Sequence, residues 1–155
     1  RHPDRGGQIA RTIEGLPFTR RSLGQPPPST GVWIADTLGE LGLWYRIAGI
    51  ALIGRSLIPP GGGQNPIEAG RLGCAVASGP YTGNFADAVQ VLDDAGALAR
   101  VTNAASIAAW VGAMLAAPEH RSKIGAQAAA AATRCAELPA QIAGDLLALM
   151  PARSD

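Results

Sequence analysis

Apolar residues along the chain fall into short runs that alternate with longer segments of helical spacing. Short apolar runs are typical of strands in a parallel sheet that is covered on both faces. On this pattern we predict strands at residues 32–35, 50–53, 75–77 and 97–101, and a modest strand at 18–21 after the first helix.

Helical spacing of apolar residues characterises the segments between these strands. It predicts helices at residues 9–16, 41–48, from 66 onward, at 85–92 and at 107–115, then one or two alanine-rich helices over 119–150. Asn84 is predicted to cap the helix at 85–92, Gly96 to close it, and Pro139 to interrupt the last helical segment. Strands that alternate with helices form right-handed βαβ units, so the predicted fold class is α/β, with a Rossmann-like parallel sheet flanked by helices.

Two strand-to-helix junctions have the same local chemistry. After the second strand, residues 37–40 (TLGE) have the S/T-x-x-E form of a capping box. After the third strand, Asn65 is predicted as N-cap, with Pro66 at the first helical position and Glu68 at the third. Carboxyl ends of parallel strands border the ligand crevice, and a helix N-terminus favours an anion, so both junctions are predicted to face one phosphate-bearing ligand. Helix capping alone is the alternative role of the two glutamates, and the pattern leaves both roles open.

Glycines at both junctions are expected to leave room where a ligand approaches the backbone. They are Gly39 at the first junction and the run Gly61–Gly63 at the second. The run matches neither the Walker pattern nor G-x-G-x-x-G, so by itself it does not identify a nucleotide site.

The length of 155 residues predicts one domain, residues 1–155. Hydrophobic residues make up 47% of the chain and aromatic residues 5%, which favours a core of small aliphatic side chains. Thirteen basic and twelve acidic residues leave a formal net charge of +1, which argues against a nucleic-acid partner.

The two cysteines, Cys74 and Cys135, are far apart and match no metal-ligand spacing, so we expect buried thiols, no disulfide framework and no metal site. The uncharged stretch 101–118 contains polar residues and has helical periodicity, and we expect no membrane span there. The chain begins with Arg1 rather than Met and shows no signal peptide, so we expect that sequence upstream of it is missing.

Several short motifs follow one another in a particular order. They are RHPDR at 1–5, DTLGEL at 36–41, GRSLIP at 54–59, GGQNPIE at 62–68, and GP at 79–80 with NF at 84–85. Together they resemble the carboxyl-terminal half of the bacterial 3-deoxy-D-manno-octulosonic acid (Kdo) transferases, over residues 1 to about 115.

The resemblance implies the donor-binding half of an inverting glycosyltransferase with the GT-B fold, which transfers Kdo from CMP-Kdo to the lipid A precursor in lipopolysaccharide biosynthesis. It implies a missing amino-terminal half that supplies the catalytic carboxylate and most acceptor contacts. It further implies membrane association through that half, at the cytoplasmic face of the bacterial inner membrane, with no cofactor and no catalytic residue in this chain. The nucleotide-binding residues that it implies are Arg1, His2, Leu38, Gly39, Glu40, Asn65, Pro66, Ile67 and Glu68.

The chain departs from the family pattern at a few positions. Leu38 stands where Met is usual, Gln64 where many members have His, and Arg55 where a glycine is usual. The loop 59–63 is one residue longer than the common form.

Two other functions stay open at this stage. One is a GT-B domain that uses another nucleotide sugar such as a UDP-sugar, and the other is a stand-alone binding domain that retains the fold. Asp36 is expected either to contact the ligand or to brace a turn, Tyr81 is a candidate for lining the cleft, and His120 is expected to be solvated. The three tryptophans are expected in the core.

Overall fold

The computed structural model describes the backbone of residues 3–149 and the side chains of residues 3–134 and 143. It divides into two compact units, Arg1–Leu41 and Gly42–Asp155. The assignment of 1–155 to one domain stays a prediction.

The first unit contains one helix and two parallel strands. A short 3₁₀ turn at Pro3–Arg5 precedes α1 (Gly6–Thr12), and β1 (Phe18–Arg20) pairs in parallel with β2 (Val32–Ile34). Phe18 lies opposite Val32, and a second 3₁₀ turn, Arg21–Leu23, follows β1 directly. Polar residues after β1 and after β2 therefore lie at the same edge of this two-stranded sheet.

The second unit has a three-stranded parallel sheet in the order β3-β4-β5. Its elements are α2 (Leu41–Ala48, which begins at the unit boundary), β3 (Ile50–Leu52), α3 (Ile67–Arg71), β4 (Ala75–Ser78), α4 (Ala86–Asp94), β5 (Leu98–Arg100), α5 (Ala104–Ala116) and α6 (Pro118–Leu149). Every predicted strand is present and the strands alternate with helices, so the α/β prediction is confirmed.

The core of the second unit centres on β4, which is buried along its whole length. Leu92 of α4 and Ala128 and Ala131 of α6 are fully buried in a cluster with Ala97. A methyl group on Gly70 of α3 would lie 3.3 Å from the Ala128 methyl carbon, so small residues allow α3 and α6 to approach closely. Burial of a side chain such as Leu92 stabilises the fold by about 2 kcal/mol.

Two predictions about helix boundaries are wrong. Asn84 does not cap α4, because it lies within a 3₁₀ turn, Gly83–Phe85, and α4 has no side-chain cap. Pro139 does not interrupt the last helix, since α6 is one helix of 32 residues. Its alanine- and leucine-rich flanks have high helix propensity, which favours continuation past the one hydrogen bond that proline removes.

Membrane and metal features were also sought in the described part of the chain. None of its helices combines the length and the apolar character needed to cross a membrane. No group of three or more His, Cys, Asp or Glu side chains among the described residues is arranged to hold a metal ion.

Candidate functional site

The predicted nucleotide-binding residues are distributed over both units. Leu38, Gly39 and Glu40 lie in the first unit, and residues 65–68 lie in the second. Arg1 and His2 lie outside the described residues. That the two junctions share one crevice stays a prediction.

Glu40 is held by two side chains of its own unit. Arg21 donates to it through Nη2 at 2.8 Å and through Nε at 3.3 Å, and Thr37 Oγ1 donates to Glu40 Oε2. The hydrogen bonds from Arg21 and from Thr37 lower the pKa of Glu40. Helix α2 begins at Leu41, so Glu40 is not at the third helical position and the predicted capping box is wrong. A bidentate guanidinium contact competes for the carboxylate that a capping box would need.

Asp36 braces the carboxyl ends of β1 and β2. Its side chain, 3% exposed, accepts hydrogen bonds from Arg20 Nη2 at 2.6 Å and Nε at 2.9 Å, and from Ser22 N at 2.9 Å and Oγ at 2.8 Å. Burial raises the pKa of Asp36, but the hydrogen bonds from Ser22 and Arg20 outweigh burial and lower that pKa to about 2. A side chain at Gly6 would overlap the Asp36 carboxylate, so α1 also packs against this group. Of the two roles considered for Asp36, the structure supports the brace.

The loop between Asp36 and Glu40 leaves two residues open to solvent. Leu38 is 70% exposed, and Gly39 has φ of +80° with no atom within 4 Å of an added methyl group. Gly39 is therefore required by its left-handed backbone and not by crowding from the protein. The exposed Leu38 side chain gives this loop an apolar surface that a ligand can contact.

The start of α3 differs from the prediction for residues 65–68. The helix begins at Ile67 and its N-cap is Pro66, without a side-chain cap, so Glu68 is its second residue rather than its third. Asn65 Oδ1 accepts from Ile67 N at 3.0 Å, and Pro66 is fully buried. This contact occupies the Ile67 N–H, and α3 has only five residues. Glu68 lies in the first turn, is exposed, and has no hydrogen-bond or ion-pair partner among the described residues.

Glu68 also influences a partly buried neighbour. Burial raises the pKa of Tyr45, and electrostatic interactions with Glu68 and with Cys74 raise it further. Burial raises the pKa of Cys74 as well, and its thiol donates to the Tyr45 carbonyl at 3.0 Å. Cys74 is therefore a buried structural thiol, as predicted, whereas the side chain of Cys135 lies outside the described residues.

Residues 53–66 and 79–84, which follow β3 and β4, are called the loop pair here. Ser56 is fully buried between the two loops. Its Oγ accepts from Gly79 N at 2.8 Å and donates to Ile53 O at 2.6 Å, and its carbonyl accepts from Tyr81 N at 2.9 Å. Gly62 O accepts from Asn84 N at 3.0 Å, so hydrogen bonds join the loops along their length.

The glycine run Gly61–Gly63 packs against the protein, which corrects the expectation that it leaves room for a ligand. A methyl group at Gly61 would overlap the carbonyl of Arg55, and one at Gly62 would lie 2.5 Å from the Asn84 amide nitrogen. Gly62 and Gly63 also have φ of +88° and +78°. Close loop-to-loop contact and left-handed backbone therefore explain these glycines.

The sequence did not point to Arg20, Arg21 and Ser22 as partners of the acidic residues. Their position at the end of β1 and directly after it was the available signal, because side chains at the carboxyl ends of neighbouring parallel strands meet. Ser56 was missed too, and no local pattern marks it. Tyr81, 41% exposed in the second loop of the loop pair, is accessible to a ligand.

A cavity of about 200 Å³ lies elsewhere in the second unit, between β5, α5 and α6. Trp110, Met114, His120 and Ile124 line it, and none of the predicted site residues does. His120 is exposed, as expected. Trp33, Trp44 and Trp110 are half-buried at the edges of the core rather than within it.

Comparison with known proteins gives consistent matches. The chain is 39% identical to a 3-deoxy-D-manno-octulosonic acid transferase of Bordetella pertussis over 84% of this chain and 31% of that protein. It is 34% identical to the Haemophilus influenzae protein of the same name over 81% of this chain and 30% of that protein. A probable mitochondrial 3-deoxy-D-manno-octulosonic acid transferase of Arabidopsis thaliana is 40% identical over 63% of this chain and 23% of that protein. The chain thus spans less than a third of the length of these curated relatives.

A solved structure is similar to the fold as well. The C-terminal CMP-Kdo binding domain of WaaA from Acinetobacter baumannii matches with a TM-score of 0.77 and 36% identity. The match covers 84% of this chain and 69% of that domain's chain. No family model matches the sequence.

Proposed function

The chain belongs to the 3-deoxy-D-manno-octulosonic acid transferase family, and from that premise we propose that it is the donor-binding part of a glycosyltransferase that uses CMP-Kdo. The observation that carries the proposal is the likeness, over most of the chain, to a solved CMP-Kdo binding domain. The exposed polar loops at the carboxyl ends of the parallel strands agree with it, because ligands of open α/β sheets bind there.

The second unit supplies the contacts proposed for the nucleoside. Glu68 has an exposed carboxylate with no partner among the described residues, and a carboxylate can accept hydrogen bonds from both ribose hydroxyls. Asn65 holds the first turn that carries it, through its bond to Ile67 N. Pro66 is buried beneath that turn and contributes rigidity rather than a polar contact.

The first unit supplies a more rigid surface. Glu40 is already engaged by Arg21 and Thr37, so its proposed role is to keep the loop at Leu38 and Gly39 in place. The exposed Leu38 side chain and the adjacent backbone are the groups that contact the donor. Arg1 and His2 are proposed to meet the donor phosphate, since guanidinium and imidazolium groups pair with phosphate oxygens.

The proposed reaction moves Kdo to a hydroxyl of the lipid A precursor, with inversion at the sugar. The acceptor oxygen forms a bond to the anomeric carbon of Kdo, the bond from that carbon to the CMP phosphate oxygen breaks, and CMP leaves with the electron pair. A carboxylate takes the proton of the attacking hydroxyl. We assign that base, the acceptor contacts and the attachment to the cytoplasmic face of the inner membrane to parts of the protein outside these 155 residues.

Nucleotide preference tests the proposal. CMP is expected to raise the melting temperature of the 155-residue chain more than UDP does at equal concentration, because ligand that binds the folded state stabilises it. A larger shift with UDP would favour a UDP-sugar enzyme, and no shift with either would argue for a domain that retains the fold without the activity.

A transfer assay tests the division of labour. The 155-residue chain, incubated with freshly generated CMP-Kdo and lipid A precursor, is expected to transfer no Kdo, whereas an authentic full-length Kdo transferase serves as the positive control. Turnover by the chain alone would place the base among its own residues, with Glu68 the first candidate to replace.

A further inference from the structure

The loop pair contains a single charged residue. Among residues 53–66 and 79–84 that residue is Arg55, and no Asp or Glu lies in either loop. The other polar side chains of these loops are neutral, such as Gln64, Tyr81 and Asn84. The loop pair by itself therefore has a net charge of +1.

The backbone of Arg55 is held in an unusual conformation. Its φ is +58°, which makes it the one residue other than glycine with positive φ in the described part of the chain. This left-handed conformation costs about 1 kcal/mol for a residue with a side chain. Its carbonyl accepts from Gly63 N at 3.0 Å, and the next residue, Ser56, is locked into both loops. Surrounding contacts therefore fix Arg55 although its own preference opposes the conformation.

Arg55 differs from the arginines that the structure pairs with carboxylates. Arg20, Arg21 and Arg100 each form an ion pair. Arg55 is exposed and has no ion-pair partner among residues 3–134 and 143, whose side chains the structure describes. A residue retained in a strained conformation at the ligand edge of a sheet suggests a functional role. Its guanidinium remains available to an anion.

We infer that Arg55 binds an anionic group of the nucleotide sugar, an assignment that rests on the proposed function. Two groups of a CMP-Kdo donor have the required chemistry, the phosphate of the nucleotide and the carboxylate of the sugar acid. Arg55 matches both, because its planar donors pair with phosphate and with carboxylate oxygens. Its position in the hydrogen-bonded loop pair holds the charge in the segment that connects β3 to α3, the helix that carries Glu68.

Replacement of the side chain at a constant backbone tests the assignment. Arg55→Asn removes the charge, and asparagine tolerates left-handed backbone better than arginine. Titration calorimetry on the 155-residue chain is expected to show about tenfold weaker affinity than the wild type for the ligand whose anionic group Arg55 contacts, either CMP or free Kdo, which is the effect of losing one contact between charged groups. Arg55→Lys, which retains the charge, is expected to lose less affinity than Arg55→Asn.

Matched ligands distinguish the two anionic groups. If Arg55 pairs with the phosphate, Arg55→Asn weakens CMP binding and leaves cytidine binding unchanged. If it pairs with the carboxylate, CMP affinity is unchanged and binding of free Kdo is weakened. Wild-type affinity for CMP, cytidine and Kdo in Arg55→Asn overturns the assignment, and so does an equal loss for all three, which would indicate a collapsed site.

A second arginine controls for net charge. Arg71 is exposed in the last turn of α3 and has no ion pair among the described residues. Arg71→Asn is expected to retain CMP affinity, and an equal loss there would overturn a specific role for Arg55. Arg55→Gly removes the backbone strain, and it is expected to bind as weakly as Arg55→Asn without melting earlier than the wild type. Absence of CMP binding by the wild type would instead overturn the proposed function, and this assignment with it.

Discussion

Charged side chains after β2 have their partners within the same unit, whereas those after β3 and at the start of α3 have none among the described residues. Asp36 and Glu40 accept from Arg20, Arg21, Ser22 and Thr37. Arg55 and Glu68 are exposed and unpaired in the described part of the chain. The difference indicates that the first region uses its charges for rigidity and the second has charges available for a ligand.

Removal of the Asp36 charge should have the largest effect on stability, and it acts on the first region. Asp36→Asn is expected to lower the free energy of unfolding by about 4 kcal/mol, because it leaves the partly buried Arg20 guanidinium without its counter-ion. Chemical denaturation measures this loss. Asp4→Asn, an exposed change in the same unit, is the control and should stay within about 0.5 kcal/mol of the wild type. Equal stability of the two variants would show that Asp36 is not a brace.

In the second region, the corresponding destabilising substitution is Gly79→Ala. An added methyl group would overlap the backbone of the fully buried Ser56, so we expect a loss of about 3 kcal/mol in the free energy of unfolding. Gly83→Ala in the same loop is the matched control, since its methyl group would meet no atom within 4 Å. A melting temperature of Gly79→Ala equal to that of Gly83→Ala would contradict the close contact between the loops.

Acid should affect the first region through Asp36. The pKa of this carboxyl is about 2 in the folded chain and 3.8 ordinarily, so its stabilisation is fully present above about pH 4 and is lost as pH falls through 2. The loss amounts to about 2 kcal/mol. Denaturation midpoints between pH 5 and pH 2 check this, and Asp36→Asn should show a smaller slope. The lowered pKa of Glu40 acts in the same direction, so Glu40→Gln is measured alongside. An unchanged slope in Asp36→Asn would assign the acid sensitivity to other groups.

The smallest expected effects, on CMP affinity and melting temperature, should distinguish the roles of Glu40 and Glu68. Glu68→Gln retains the shape of the first turn of α3 but accepts more weakly from ribose hydroxyls, so we expect about fivefold weaker CMP binding with little change in melting temperature. Glu40→Gln should do the reverse, with a lower melting temperature and a smaller change in affinity, because its partners are Arg21 and Thr37. Unchanged CMP affinity together with earlier melting in Glu68→Gln would mean that Glu68 only stabilises its helix.

Local chemistry was enough to predict much of this fold. Short apolar runs located β2, β3 and β4, because strands of a parallel sheet that is covered on both faces are apolar over several consecutive residues. The local sequence also pointed to Asn65 at the start of α3, and its side chain accepts from Ile67 N two residues further on, although the N-cap is Pro66. The order of the short motifs was sufficient to suggest the family.

Contacts distant in sequence decided what those residues do. Thr37 and Glu40 match a capping box, but the Glu40 carboxylate instead accepts from Arg21, which lies 19 residues away in the sequence. Asp36 depends on Arg20, which is 16 residues away, and the glycine run depends on the loop after β4. The sequence by itself determined which segments form strands and helices, because periodicity and caps act over a few residues. Only the tertiary structure decided which charges are neutralised and which stay exposed, because that depends on which loops the parallel strands bring together.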